Sequence, residues 1–314
     1  MTAQLTDTIL MIRPVCFNYN EQTAVNNYYQ KALEIDNASL AQENALKEFD
    51  VFVEKLKTKG IDVIVVEDTL NPVTPDSIFP NNWISFHSTG EIAMYPMFAE
   101  NRRLERRKDI PEVLQTKYNY SIEAITNFSK WENEDVFLEG TGSMVLDREN
   151  KVAYAALSQR TNLDLLKLFC DKFDYSYISF QANQTVDEKR VPIYHTNVMM
   201  CIADEFVVIC LDAIDNVDER ELVIESFEEY DKVVVEITEE QISSFAGNML
   251  QVKSKEGRKF LIMSSSAYNV LEENQIEVLS DFCEIIHSPL DTIETLGGGS
   301  ARCMMAEVFL PKNN

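Results

Sequence analysis

The sequence predicts an α/β fold in a single domain over residues 1–314: a five-bladed α/β propeller of ββαβ repeats, closed by pairing of the N- and C-terminal strands. Three observations carry this. A pattern of two strands joined by a tight turn, then a helix, then a single strand, recurs along the chain. Its period of about 50–60 residues is that of a radial or stacked array. One strand is left over at each end, and pairing the two supplies the hairpin of a fifth unit, which removes exposed sheet edges.

In order, the apolar run at 9–14 predicts a short strand, and the asparagine-rich stretch after it a loop or short helix. Residues 41–59 carry Ala45, Leu46, Phe49, Phe52, Val53 and Leu56 at helical spacing, with Lys59-Gly60 as the stop. Residues 61–66 then form a buried strand. The first full repeat has strands at 83–86 and 92–95, a basic helix near 101–117 and a strand around 120–125. The second has strands at 142–146 and 152–157, a helix at 161–174 and a strand at 177–180. The third has strands at 197–202 and 206–211, a helix at 218–230 and a strand at 233–237. The fourth has strands at 248–252 and 260–263, a helix at 268–281 and a strand at 283–287. Residues 302–310 remain to pair with 9–14.

Composition narrows the function. Hydrophobic residues make up 45% of the chain, enough for a sizeable core, and the formal charge is −24 from 28 basic and 52 acidic residues. Such a surface repels phosphate backbones and anionic membranes, so no nucleic-acid or membrane partner is expected. The opening Met1-Thr-Ala-Gln-Leu-Thr-Asp lacks a basic region with a long apolar run, and no stretch is long enough to span a bilayer, so a soluble cytoplasmic protein is expected. The cysteines at 16, 170, 201, 210, 283 and 303 form no C-x-x-C pair, which argues against zinc ribbons and redox dithiols. His195 with Cys201 or Cys210 gives no recognised zinc set, and no G-x-G-x-x-G or P-loop is present, so neither metal nor cofactor is expected.

In a ring, strand heads distant in sequence converge. Five segments place polar residues there: Pro75–Trp83, Phe137–Gly142, Tyr194–Asn197, Ser244–Asn248 and Gly297–Cys303. Polar groups heading apolar strands are costly unless satisfied or used. Cys303, where a run of three glycines meets a Met-Met-Ala-Glu-Val-Phe strand, is a candidate nucleophile; the other cysteines read as small buried hydrophobes. A cysteine nucleophile requires a partner that stabilises thiolate and a carboxylate that orients that partner, and His195 and Glu139 stand at corresponding points of the repeat. The other two histidines, His87 and His287, sit at strand ends.

Glu139-Gly140 after an apolar strand, His195 with a polar residue two positions on, and a glycine-rich run ending in a cysteine resemble the guanidine-modifying pentein superfamily. It includes arginine deiminase, dimethylarginine dimethylaminohydrolase and amidinotransferases, and its fold is the five-unit ring. Asp76-Ser-Ile-Phe-Pro-Asn81-Asn82, Asn101-Arg102-Arg103 and Ser158-Gln-Arg160-Thr-Asn162 are similar to the dimethylaminohydrolase branch. The resemblance implies substrate-gripping roles for Asp76, Arg102 and Arg160. A solvated helix start with ion pairs is the plainer reading of Arg102.

Where guanidine-processing relatives place a carboxylate, this chain has Asn82, and where arginine deiminases carry aspartate two residues after the histidine, it has Asn197. An amide satisfies a neutral ureido group without burying an unpaired negative charge, although asparagine also flanks strands as an ordinary turn residue. The expected activity is therefore cysteine-dependent hydrolysis of citrulline to ornithine, carbon dioxide and ammonia through a carbamoyl-thioester, as in the citrulline-utilisation hydrolases the chain resembles. Hydrolysis of arginine or a methylarginine, amidino transfer, and a binding-only ring are the alternatives. The expected partner is a small amino-acid substrate, and homo-oligomer formation is left open. So is the question of whether residues 16–40 cover the site.

Overall fold

In the computed structural model, which describes residues 3–32 and 38–313, five three-stranded sheets of one design follow each other along the chain. In each, a central strand pairs antiparallel with one neighbour and parallel with the other. Thr8–Arg13 lies between Ala306–Glu307 and Asp62–Glu67, so the two ends of the chain share a sheet. Glu91–Met94 lies between Ile84–Phe86 and Ala124–Asn127. Val152–Ala156 lies between Val145–Asp147 and Ser176–Phe180. Phe206–Ile209 lies between Met200–Ile202 and Val233–Glu236, and Lys259–Ser264 between Leu250–Lys253 and Glu284–Ser288.

Central strands such as Val152–Ala156 and Phe206–Ile209 are buried along their whole length, which is why they read as continuous apolar runs. The parallel step in each unit requires a crossover, supplied by helices Ala38–Thr58, Ile110–Tyr118, Leu163–Phe173, Val217–Glu229 and Glu273–Phe282. Leu163–Phe173 shows how such a helix is set. Asn162 caps its first turn by accepting from the Asp164 and Leu165 amides, and Leu165, Leu166, Phe169, Cys170 and Phe173 face the core.

Several elements differ from expectation. The basic helix near 101–117 divides into a 3₁₀ turn, Glu100–Glu105, and a helix restarting at Ile110, because Pro111 has no N–H and fits only a first turn. The helix at 268–281 divides into Ser265–Val270 and Glu273–Phe282, the second opened by a capping box between Glu272 and Gln275. The last strand shortens to Ala306–Glu307, and Cys303 sits in the 3₁₀ turn Ala301–Met304 before it. A hairpin of Asn183–Val186 and Lys189–Pro192 and the helix Asp291–Gly297 had no counterpart in the sequence reading. Among the described residues no helix is long and apolar enough to cross a membrane.

One local device recurs where a strand is about to begin. Pro80–Asn82, Gly140–Ser143, Thr196–Val198 and Ala301–Met304 are each a single helical turn, closed by backbone bonds such as Trp83 N–H to Pro80 and Met199 N–H to Thr196, both 3.1 Å. Such a turn aims successive side chains in different directions, one toward the strand's core and the next toward the end of the sheet.

Candidate active site

Those turns bring the expected residues together. Asp76, Asn82, Arg102, Arg160, His195 and Cys303 line one cavity, whose wall Gly297, Gly298 and Gly299 complete. Glu139 and Asn197 stand immediately behind, Glu139 touching His195 and Asn197 touching Cys303. All eight are buried, Cys303 being the most accessible at 4%. Arg102 is thus not a solvated helix start.

The imidazole and carboxylate are tightly coupled. His195 Nε2 lies 2.7 Å from Glu139 Oε2, while Glu139 Oε1 accepts from the Phe98 amide at 2.8 Å and Arg160 Nη1 approaches Oε2 at 3.5 Å. Burial alone would raise the Glu139 carboxyl, but the Arg160 guanidinium and the His195 bond outweigh it and hold it at about 2. Burial pushes His195 down to about 4 against the pull of Glu139. At neutral pH the pair is therefore carboxylate and neutral imidazole. The proton sits on Nε2 facing Glu139, leaving Nδ1 with its lone pair. Gly142 keeps room on that side: a Cβ there would lie 2.8 Å from His195 Nδ1 and 2.4 Å from Asn82 Nδ2.

The arginines are already engaged. Arg102 forks onto Glu105, with Nε at 3.0 Å from Oε1 and Nη2 at 3.0 Å from Oε2, lies 3.8 Å from Asp76, and donates through Nη1 to Asn82 Oδ1 at 2.9 Å. That last bond fixes the Asn82 amide with its oxygen on Arg102, so its Nδ2 points elsewhere. Arg160 stacks over Tyr194 at 4.9 Å and donates to Thr23 O and Asn26 Oδ1, both at 3.0 Å. Asp76 Oδ2 accepts from Asn20 at 2.7 Å and Thr23 at 3.2 Å. Of residues 16–40, then, those between Asn20 and Gln30 lie over the site, with Asn27 and Gln30 also bonded to the Leu296–Gly298 carbonyls; 33–37 lie outside the described residues.

Among the described residues, Asp76 Oδ1, Asn82 Nδ2 and Asn197 Oδ1 are buried with no hydrogen-bond partner. Leaving such a group unpaired costs about 1–3 kcal/mol each, so three at one site point to a ligand that supplies partners. The sulfur of Cys303 accepts from Asn248 Nδ2 at 3.3 Å and Asn197 Nδ2 at 3.6 Å. Asn248 heads the fourth repeat, the same signal that singled out the other strand heads, yet it was not chosen from sequence. The remaining histidines are elsewhere: His87 bonds Ser85 and stacks on Phe173, and His287 bonds Ser265 and stacks on Tyr268. The Cys170, Cys201, Cys210 and Cys283 thiols are pushed up to about 11–12 by burial. Among the described residues no group of His, Cys, Asp or Glu is placed to hold a metal ion.

Known proteins resemble this chain in sequence and in fold. A family described as "N,N dimethylarginine dimethylhydrolase, eukaryotic" matches residues 13–310. A search of curated proteins finds no match. Among solved structures the chain is similar to ArgZ, an arginine dihydrolase from the ornithine-ammonia cycle in cyanobacteria, at 18% identity and a TM-score of 0.73, over 98% of this chain and 41% of ArgZ. The chain thus spans about two fifths of that protein. It matches the N-terminal domain of ArgZ bound to substrate over 97% of this chain and 98% of the domain, with 18% identity and a TM-score of 0.69. A dimethylarginine dimethylaminohydrolase adduct with S-methyl-L-thiocitrulline matches at 14% identity and a TM-score of 0.62, over 96% and 99% of the two chains.

Proposed function

We propose that this chain, which belongs to the family described as N,N dimethylarginine dimethylhydrolase, eukaryotic, is a cysteine hydrolase whose preferred substrate carries a ureido group, citrulline first. Its five sheets are the blades of a closed ring around the Cys303 cavity. The observation that carries the substrate choice is the Asn82 amide: its oxygen is tied to Arg102, so what it offers is an unpaired N–H donor. A ureido oxygen accepts such a bond and a guanidinium cannot.

The chemistry follows from the geometry. Cys303 passes its proton to His195 Nδ1 and the sulfur attacks the ureido carbon, giving a tetrahedral centre whose oxygen Asn82 Nδ2 stabilises. The C–N bond to the side chain breaks, and the imidazolium proton goes to the departing amine of ornithine. A carbamoyl-thioester remains on Cys303. His195 then takes a proton from water, whose oxygen displaces the sulfur, and the carbamate released falls apart to carbon dioxide and ammonia. Glu139 keeps the ring oriented and stabilises its charged form. Asp76 Oδ1 accepts from a substrate nitrogen, and Arg160 exchanges Asn26 for the substrate carboxylate, while Arg102 acts through Asn82.

A second reading, arginine or a methylated arginine, is favoured by the family and by the arginine dihydrolase likeness. Product analysis over citrulline, arginine and methylarginine separates the two. Ornithine formed from citrulline is expected; citrulline formed from arginine, with no ornithine from citrulline, overturns the choice.

A further inference from the structure

Asn248 is completely enclosed, at 1% exposure, and its side chain bridges two strand heads. Oδ1 accepts from the Arg302 backbone N–H at 3.0 Å, and Nδ2 donates to the Asn197 carbonyl at 2.9 Å and to Cys303 Sγ at 3.3 Å. Two backbone groups on different segments therefore fix which way the amide faces. Turning it over would set its oxygen against a carbonyl and its NH₂ against an N–H. With one N–H committed to Asn197, the other can reach only the sulfur.

We propose that Asn248 is a catalytic residue of this site, an amide donor that, with Asn197 Nδ2 at 3.6 Å, holds the Cys303 thiolate as it forms. The proposal rests on Cys303 being the nucleophile. A donor is needed because the thiolate appears in a buried cavity, and hydrogen bonds to the charged form favour it. A neutral donor suits the task, because sulfur stabilised strongly enough to be fully ionised loses nucleophilicity. The charged and titratable groups sharing the cavity are Asp76, Arg102, Arg160, Tyr194 and His195. Arg302, the chain neighbour of Cys303, is turned away onto Glu307 and the Met305 carbonyl, both at 2.8 Å. Arg102 and Arg160 are each committed to carboxylates and carbonyls, which leaves the two amides as the polar hydrogens on the sulfur.

The test is the rate of Cys303 alkylation by iodoacetamide across a pH series, read by peptide mass, which requires no substrate. Asn248→Asp keeps the shape and the acceptor for Arg302 N–H but replaces the donor with a carboxylate oxygen facing the sulfur. Asn248→Ala removes the donor without adding charge. Alkylation at neutral pH should fall about tenfold or more in Asn248→Asp and severalfold in Asn248→Ala, with both profiles displaced to higher pH. The four deeply buried thiols serve as internal references for intact folding, and if Asn248→Asp does not fold, Asn248→Ala alone decides. Wild-type rates and profiles in the folded variants, with turnover reduced, would make Asn248 a loop tie and overturn the proposal. Normal effects on alkylation in a protein that turns over no ureido or guanidino compound would instead sink the proposed function and leave this role standing.

Discussion

Two sets of buried charges can be compared within this one chain. At the turn end of the sheets, Glu307 accepts from Arg302 Nη2 at 2.8 Å and Arg148 Nε at 3.4 Å, Arg148 lies over the Phe309 ring at 4.2 Å, and Gln4 ties the same region by accepting from the Arg148 amide and donating to the Leu146 and Ile202 carbonyls. None of these side chains is left with a buried, unpartnered polar atom among the described residues. At the strand heads, Glu139, Arg160, Arg102 and Asp76 are at least as buried, yet Asp76, Asn82 and Asn197 each keep an unpaired atom there. Burial of charge is common to both. The difference is completion: the first set is finished by the protein, and the second waits for groups the protein does not contain.

The sharpest way to break this contrast is to remove the proposed nucleophile. Cys303→Ser should lose at least about a thousandfold in turnover with little change in melting temperature, measured on citrulline, because the proposed chemistry starts from that sulfur beside the second set. Next come the two carboxylates as a matched pair. Glu139→Gln should lower kcat on the order of a hundredfold through the misoriented imidazole. Glu307→Gln should cost about 3 kcal/mol of unfolding free energy, by leaving two arginines without a counter-charge, while the folded fraction keeps its kcat. Equal effects of both on kcat would erase the distinction.

A smaller effect is the dependence of stability on pH. His195 is held neutral in the fold, its value pushed from 6.5 down to about 4, so the unfolded chain takes up a proton first as pH falls. Stability is complete above about 6.5 and is lost as pH drops from there through 4, and His195→Asn should flatten that slope by about 3 kcal/mol in acid denaturation curves. Smallest is Asn82→Asp, which exchanges the free N–H donor for an acceptor. It should shift the ratio of kcat/KM for citrulline over arginine by about tenfold toward arginine.

Much of this was legible in the sequence. Central strands such as Val152–Ala156 and Phe206–Ile209 are apolar runs, so the repeat announced itself, and Cys303, His195 and Glu139 stood out as polar residues at corresponding points. What stayed hidden was structure carried by three or four residues. A single helical turn such as Thr196–Val198 is too short to show a period, so Cys303 and Asn197 were read as strand residues. The hairpin at 183–192 turns at Asp187-Glu188, both with positive φ, where a Gly or Asn would have been the usual marker. The duty of Asn248 depends on which way an amide faces, and backbone groups far away in sequence decide that. The contacts of residues 20–30 with Asp76 and Arg160 are likewise set only by packing.

The most direct measurement is the mass of Cys303 trapped during turnover of citrulline. A carbamoyl group on that cysteine, absent from the other five and lost on further incubation as ornithine accumulates, is the predicted result. Turnover with Cys303 unmodified, or with an amidino group in its place, would contradict the account.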